Sequence, residues 1–176
     1  MGTGIAALKE RFGVGGELIL EYFHPYVYLN QEIIEGRDLD QAEVERAGGG
    51  ELSKFEGVAL AVSSTALAEG GVPDTPLTRS ILRNHHPKRS GDIFVFFEPH
   101  WFINDFDGLT VATTHGSPWR YDTFFPLIFA GAGVQPQRVH RQVQTVDVAP
   151  TLAAFLGIKP PSGSRGSVLV EVLRGQ

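Results

Sequence analysis

Apolar residues at helical spacing begin the chain and are followed by two short apolar segments. The spacing over residues 5–12 predicts a helix that ends at Gly13. Residues 17–23 and 26–29 are strand candidates, close enough in sequence to pair as a hairpin around His24–Pro25. The pattern therefore predicts a helix followed by a β-hairpin.

Helix-capping residues mark several of the elements that follow. Asn30 is a candidate N-cap of a short helix, and Thr75 followed by Pro76 predicts a longer helix that runs to about Asn84. The strand candidates in this part of the chain are residues 58–62, residues 92–98 and, as a partner or return edge, residues 101–103.

A helix predicted over residues 38–47 meets three consecutive glycines, Gly48 to Gly50. Three glycines inside a helix cost about 2–3 kcal/mol relative to alanine. We therefore expect this helix to end at Ala47 and a turn to precede Leu52.

The pattern changes after Asp105. Residues 125–130 form a continuous apolar run without alternation, which is typical of a strand buried on both faces of a helix-covered parallel sheet. Such a strand needs neighbouring strands, and this part of the sequence offers few. A helix is predicted from Asp147 to a stop at Gly157, and a last short helix over residues 168–173.

These elements predict a division into three parts. Residues 1–14 form an N-terminal helix, residues 15–105 form a small α+β subdomain with antiparallel pairing, and residues 106–176 form the edge of an α/β sheet. The predicted fold class is α/β.

Composition excludes several classes of protein. The 176 residues are 42% hydrophobic and 10% aromatic, too apolar for low-complexity disorder. The lack of cysteine excludes disulfide frameworks and thiolate metal sites, and no apolar run reaches the roughly 18 residues of a membrane span. The 15 basic and 20 acidic residues include no basic cluster, which argues against nucleic acid as a partner. The first ten residues lack the pattern of a signal peptide.

The segment 113–122 carries the most chemistry. It is a polar loop leading into the apolar run, and ligands of open α/β sheets gather in loops at strand ends. His115 is a candidate metal ligand or acid–base group, and a loop histidine bonded to a carbonyl is the plainer alternative. Asp122 is interpreted as a hydrogen-bonding support that orients His115. A nucleophile triad of Ser117, His115 and Asp122 is disfavoured because triad members come from distant loops.

The other histidines receive structural interpretations. His85 and His86 predict an exposed turn rather than a metal site, because adjacent side chains point in different directions and Pro87 keeps His86 extended. In the same turn, Arg89 and Asp92 are candidates for an ion pair. Structural or surface roles are also predicted for His24, His100, His140 and, as a helix cap, Asp147.

Three segments carry a resemblance to a known family: residues 115–122, 126–134 and 146–158. In type, order and spacing their motifs resemble the C-terminal end of the alkaline phosphatase superfamily, closest to its type I phosphodiesterase/phosphatase branch. Residues 26–30 and 89–92 also resemble this branch, so the likeness covers nearly the whole chain. The resemblance implies the C-terminal part of an alkaline-phosphatase-like α/β fold, with a small α+β cap subdomain and an incomplete core sheet.

The resemblance also implies a metal-dependent phosphoric ester hydrolase. Such enzymes hold two metal ions, usually zinc, beside a Thr or Ser nucleophile. The histidine of the His-Gly-Ser-Pro motif is a zinc ligand in this family, and this role falls on His115. The family's nucleophile, first Asp ligand and Asp-His-Gly motif lie in its N-terminal half and have no counterpart in this sequence. We therefore expect no catalytic nucleophile here and no activity of the isolated chain.

Three functional hypotheses follow. The first is the C-terminal part of a zinc-dependent phosphatase or phosphodiesterase that acts on a phosphate ester. The second is a non-catalytic binding or complementing module that associates with a missing N-terminal half through an exposed sheet edge. The least favoured is a metal-free hydrolase that uses Ser117 and His115. We expect neither nucleic acid nor a membrane as a partner. Intact relatives are mostly periplasmic or secreted, and their export signals would lie upstream.

Overall fold

The computed structural model describes residues 2–103, 105–106 and 108–174. The architecture is α/β, with helices and a small antiparallel sheet. The chain divides into two compact units, Met1–Phe124 and Phe125–Gln176. The three-part division at residues 14 and 105 stays a prediction. No helix in the described part of the chain is both long and apolar enough to cross a membrane.

The first unit contains the principal sheet. Its helices are α1 (Gly2–Phe12), α2 (Gln31–Gly36), α3 (Gln41–Leu52), α4 (Ser64–Ala68), α5 (Pro76–Asn84) and α6 (Arg120–Thr123). Its strands are β1 (Ile19–Phe23), β2 (Tyr26–Leu29), β3 (Val58–Ser63), β4 (Ile93–Phe97), β5 (Asp105–Phe106) and β6 (Leu109–Thr110). Strands β1 to β4 form one antiparallel sheet in the order β1-β2-β4-β3, and β5 pairs with β6 separately. The predicted hairpin of β1 and β2 is confirmed.

Strand β4 is buried on both faces of this sheet. Ile93 and Val95 belong to one apolar cluster, and Phe94 and Phe96 belong to another. Because successive side chains of a strand point to opposite faces, the two clusters lie on opposite sides of the sheet. The first cluster includes Leu8 of α1 and Val44 of α3, and the second includes Leu67 of α4 and Ile81 of α5. The sheet is thus covered by helices on both faces.

The predicted helix caps at Asn30 and Thr75 are confirmed. The Asn30 side chain accepts a hydrogen bond from the Ile33 backbone N–H at 3.3 Å at the start of α2. Thr75 and Thr78 form a reciprocal capping box at the start of α5, with Pro76 at the first helical position. These bonds use backbone donors that would otherwise lack partners at a helix N-terminus.

The predicted break at the three glycines is wrong, because α3 continues through them to Leu52. Gly48 and Gly49 are buried against the sheet. A Cβ atom at Gly48 would lie 2.7 Å from Cδ1 of Ile93, a residue with no exposed surface. The cost of glycine in a helix is therefore offset by a close approach of α3 to the sheet that a larger residue would obstruct.

Two glycine substitutions should change stability in opposite directions. Gly50→Ala should raise the free energy of unfolding by about 0.5–1 kcal/mol, because nothing lies within 4 Å of its added Cβ and alanine favours the helix. Gly48→Val should lower it by about 1–3 kcal/mol, because the side chain would collide with Ile93. Urea unfolding followed by circular dichroism measures both changes. Equal effects of the two substitutions would contradict this packing.

Two strand predictions are wrong. Residues 125–130 form no strand, and Phe125 and Ile128 are 55% and 78% exposed. A strand persists only where a neighbour completes its backbone hydrogen bonds, and no described strand pairs with this segment. Residues 101–103 also form no strand. There, Trp101 packs at Gly57, where an added Cβ would lie 2.2 Å from the indole Cε3.

The second unit contains a 3-10 helix (Thr145–Asp147), α7 (Val148–Phe155) and α8 (Val170–Leu173). Asp147 occupies the predicted cap position of α7. Its carboxylate, however, accepts hydrogen bonds from the backbone N–H groups of Gln144 at 2.9 Å and Ser167 at 2.8 Å. These bonds tie the segment before α8 to the start of α7. The predicted stop is confirmed by Gly157, with a φ of +65° directly after the helix.

Candidate functional site

His115 lies in an irregular loop between β6 and α6, residues 113–119, which we call the His115 loop. Its side chain is exposed, and its ring makes no hydrogen bond or ion pair with another described residue. The next residue, Gly116, has a φ of +95°, a conformation that favours glycine. Within the described part of the chain, both nitrogens of this imidazole are therefore available to an external ligand.

Asp122 lies on α6 and holds the loop through Ser117. Its Oδ2 atom accepts a hydrogen bond from the Ser117 backbone N–H at 2.8 Å. Hydrogen bonding with Ser117 lowers the pKa of Asp122, and the charge of His115 lowers it further. Asp122 is therefore close to His115, but its hydrogen bond supports the loop at Ser117, two residues after His115. That it orients the His115 ring stays a prediction.

The pH dependence of this support follows from the lowered pKa of Asp122. A group whose pKa is depressed by folding contributes its stabilising bond above its unfolded pKa and loses it as pH falls through its folded pKa. We expect the NMR signal of the Ser117 amide to titrate with a midpoint below the ordinary aspartate value of about 3.9. The variant Asp122→Asn should lack this transition. A midpoint at or above the ordinary aspartate value would be inconsistent with the hydrogen bond from the Ser117 N–H to Asp122.

The far end of the His115 loop is attached to the region after β4. The indole Nε1–H of Trp119 donates a hydrogen bond to the Phe97 carbonyl at 2.9 Å. The hydroxyl of Tyr121 accepts a bond from the His100 backbone N–H at 3.0 Å, and the two rings stack with centroids 4.8 Å apart. His100 therefore has a structural contact, and the loop is fixed after Ser117 at several points.

A further contact reaches the loop from the turn between β1 and β2. The Tyr22 hydroxyl lies 3.0 Å from Nδ1 of His24, and Nε2 of the same imidazole faces Gly116, 3.9 Å from the position that a Cβ would occupy there. Sequence reasoning treated His24 as an isolated histidine. No sequence signal joins it to Gly116, because their proximity arises only from the fold.

The protonation of these two side chains defines the direction of the bonds. Burial raises the pKa of Tyr22 to about 12, so its hydroxyl stays protonated at neutral pH. Desolvation lowers the pKa of His24, and the nearby His115 lowers it further, while the bond to Gly116 acts in the opposite direction. A neutral imidazole accepts at one nitrogen and donates at the other. Nδ1 of His24 therefore accepts from Tyr22, and the N–H is carried by the opposite nitrogen, which faces Gly116.

The turn at residues 85–91 forms as predicted, but its proposed ion pair does not. His86 is exposed in the turn, and His85 is half-buried with its ring centroid 6.0 Å from that of Phe94. Arg89 makes no ion pair with Asp92, because the Asp92 carboxylate accepts a bond from the Leu29 backbone N–H at 2.7 Å instead. Desolvation raises the pKa of Asp92.

Asp92 belongs to a polar network that sequence reasoning missed. The Gln41 amide donates to Asp92 at 3.3 Å and to Glu45 at 3.0 Å. Glu45 is only 1% exposed, and its other oxygen accepts bonds from the Ser63 hydroxyl at 2.7 Å and the Thr65 backbone N–H at 2.8 Å. The network joins α3 to β3, to α4 and to Asp92, the residue before β4. It has a structural role, because all of these bonds except the one from Gln41 to Glu45 join different parts of the fold.

An apolar cavity of about 290 Å³ lies in the first unit between α1, the sheet and the end of α3. Its lining is predominantly hydrophobic and includes Leu8, Val27, Val95, Phe97 and Trp101. A phosphate ester requires convergent polar donors or cations, which this lining does not provide. The cavity is therefore a poor candidate for a phosphate site.

A complete metal centre is not formed by the described residues alone. No group of three or more histidine, aspartate or glutamate side chains among them converges on one point. A catalytic zinc ion commonly takes three protein ligands and keeps an open position. His115 fits one such ligand, since it is an exposed imidazole in a supported loop, and the remaining ligands would have to come from elsewhere.

Comparisons with known proteins match the chain to alkaline phosphatases in both sequence and structure. No family model matches the chain. The alkaline phosphatase PafA of Elizabethkingia meningoseptica is 29% identical over 174 residues, which cover 96% of this chain and 30% of that protein. A crystal structure of wild-type alkaline phosphatase PafA matches with a TM-score of 0.83 at 27% identity, over 98% of this chain and 32% of the crystallised one. The first unit and the second unit therefore both have counterparts in a phosphatase fold.

Two further relatives match similar portions. The alkaline phosphatase PhoV of Synechococcus elongatus is 29% identical over 148 residues, 84% of this chain and 26% of that protein. A protein of Myroides odoratus named as a calcium-transporting ATPase is 39% identical over 166 residues, 94% of this chain and 30% of that protein. The chain thus spans about a third or less of the length of the relatives it matches.

The fold is that of part of an alkaline phosphatase, and the resemblance of residues 115–158 to that superfamily is confirmed. The chain corresponds to a C-terminal portion of an alkaline phosphatase-like protein.

Proposed function

We propose that residues 1–176 supply the C-terminal part of a metal-dependent phosphoric ester hydrolase. The observation that carries the proposal is the His115 loop, an exposed imidazole in a braced turn within a fold that matches an alkaline phosphatase over 98% of the chain. The named activities of PafA and PhoV support hydrolysis of a phosphate ester as the reaction class. Hydrolysis of diesters is a narrower possibility within the same class.

His115 is proposed to be one zinc ligand of this enzyme. A bound zinc ion would polarise the phosphoryl oxygens and lower the pKa of a coordinated water. The chain's own contribution is to hold the imidazole outward: Asp122 bonds Ser117, and Trp119 ties the loop to the end of β4. Further ligands and the nucleophile are proposed to lie in the N-terminal half, and no residue of this chain is assigned the role of nucleophile.

This proposal expects the isolated chain to be inactive. The purified chain, supplied with zinc, should give no turnover of a chromogenic phosphate ester above that of the buffer. ATP should be assayed in parallel, because the Myroides odoratus relative is named as an ATPase. Turnover that is present in the wild-type chain and lost in His115→Ala would contradict the proposed inactivity and place a working site in this chain alone.

A second candidate function is a non-catalytic complementing module. The observation that favours it is the unpaired apolar segment 125–130, in which Phe125 and Ile128 are largely exposed. An exposed segment of this kind is suited to association with the remainder of the fold. Size-exclusion chromatography of the chain with and without a phosphatase N-terminal portion would test it. Co-elution would support the module, and a stable monomer under both conditions would argue against it.

A further inference from the structure

We propose that Tyr22 and His24 are positioning residues that hold the His115 loop in the conformation presenting the imidazole of His115. The significance of that conformation for metal binding rests on the proposed function. The contact itself involves only residues of this chain and can be tested without a metal.

The geometry links the loop to the principal sheet. Tyr22 lies on β1, which pairs with β2 in the principal sheet. Its ring contacts the Phe97 ring edge-on, with centroids 6.4 Å apart, and its hydroxyl contacts His24. His24 in turn lies against Gly116, with its Nε2 atom 3.9 Å from the position of a Cβ there, and a hydrogen bond to the Gly116 backbone raises its pKa against the effect of burial. A continuous path of contacts therefore runs from the sheet to the residue after His115.

The contact also falls where the loop backbone is most constrained. Gly116 adopts a φ of +95°, and the Nε2 atom of His24 would lie 3.9 Å from a Cβ placed there. His24 contacts the Gly116 side of the peptide group between Gly116 and Ser117. The hydrogen bond from the Ser117 N–H to Asp122 holds the other side. Contacts on these two adjacent residues therefore hold the peptide that follows His115.

The division of roles between the two side chains is specific. Tyr22 donates to Nδ1 of His24, which places the N–H on the opposite nitrogen, beside the Gly116 backbone. A glutamine at position 24 can supply both functions, because its amide carries a donor and an acceptor. Alanine supplies neither, and Tyr22→Phe removes only the donor that orients the ring.

Hydrogen exchange of the metal-free chain, residues 1–176, tests the proposal. The Ser117 amide should exchange roughly five- to tenfold faster in His24→Ala and about two- to fivefold faster in Tyr22→Phe. His24→Gln should restore exchange to within about twofold of the wild type. Two controls should leave it unchanged: His140→Ala, an exposed histidine of the second unit, and Tyr28→Phe, whose lost hydroxyl bonds no described residue.

The outcomes separate this inference from the proposed function. Wild-type exchange at Ser117 in both His24→Ala and Tyr22→Phe would overturn it, as would failure of His24→Gln to restore the loop. If His24→Ala loosens the whole unit, Tyr22→Phe decides: faster exchange confined to the His115 loop supports the anchor, and none overturns it. Because no metal is present, a failed phosphatase assay would leave this result intact.

Discussion

Replacing His115 with alanine is expected to lower the phosphatase turnover of a PafA hybrid by about a thousandfold or more. In this hybrid, residues 1–176 replace the portion of PafA that they match, about 32% of its chain. The loss of one imidazole would leave a catalytic zinc ion without one of its few protein ligands. A thousandfold loss corresponds to about 4 kcal/mol of transition-state stabilisation, which is within the range of metal-ion catalysis.

The matched control for this prediction is His140→Ala. His140 is exposed and belongs to the second unit, and its removal should leave turnover within about twofold of the unaltered hybrid. Circular dichroism and zinc content of each hybrid would separate a loss of ligand from a loss of fold. A folded His115→Ala hybrid that retains turnover within tenfold of the parent would refute the role of His115 as a ligand.

Replacing Glu45 with alanine is expected to lower the free energy of unfolding by about 3 kcal/mol or more. The carboxylate is almost fully buried and accepts bonds from Gln41, Ser63 and the Thr65 backbone. Each buried donor left without an acceptor costs about 1–3 kcal/mol. The connection between α3 and the start of α4 would be lost at the same time.

Two variants of the same helix calibrate the loss at Glu45. Glu43→Ala removes an exposed side chain with one surface ion pair to Arg11 at 3.2 Å, and should cost less than about 1 kcal/mol. Glu45→Gln keeps one acceptor oxygen, so its loss of unfolding free energy should lie between those of Glu43→Ala and Glu45→Ala. Urea unfolding of the three variants measures the series. If Glu45→Ala were no more harmful than Glu43→Ala, the network would contribute nothing beyond surface charge.

The parts of the fold that depend on local chemistry could be predicted from the sequence. The capping box at Thr75 and the cap at Asn30 depend on a few consecutive residues, and the hairpin depends on two segments separated by a tight turn. In each case the sequence that determines the structure lies within one short window. The same locality made the His115 loop recognisable, since its glycine, proline and polar residues are contiguous.

The predictions that proved wrong concern structure that depends on contacts between residues far apart in the sequence. Helix α3 continues through Gly48 because the lack of a side chain there lets the helix pack closely against Ile93. Tertiary packing therefore outweighs the local cost of glycine in the helix. Residues 125–130 have the composition of a central strand but lack a paired neighbour among the described strands. An apolar pattern predicts burial and leaves open whether a partner strand is present.

The contacts of the candidate site divide in the same way. Asp122 and Ser117 are five positions apart, so a link between them is open to sequence reasoning. The contacts of His24 and Glu45 could not be predicted in this way. His24 contacts Gly116, which is more than ninety positions away in the sequence. Glu45 has the sequence context of a surface residue in a polar helix, although it is buried. Their roles became visible only when the sheet placed their partners beside them.

Zinc stoichiometry tests the central claim most directly. Equilibrium dialysis followed by metal analysis should be applied to the purified chain, the PafA hybrid and its His115→Ala variant. The account predicts that the chain alone retains no tightly bound zinc pair, that the hybrid retains two ions, and that the variant retains fewer. Tight binding of two zinc ions by residues 1–176 alone would contradict it.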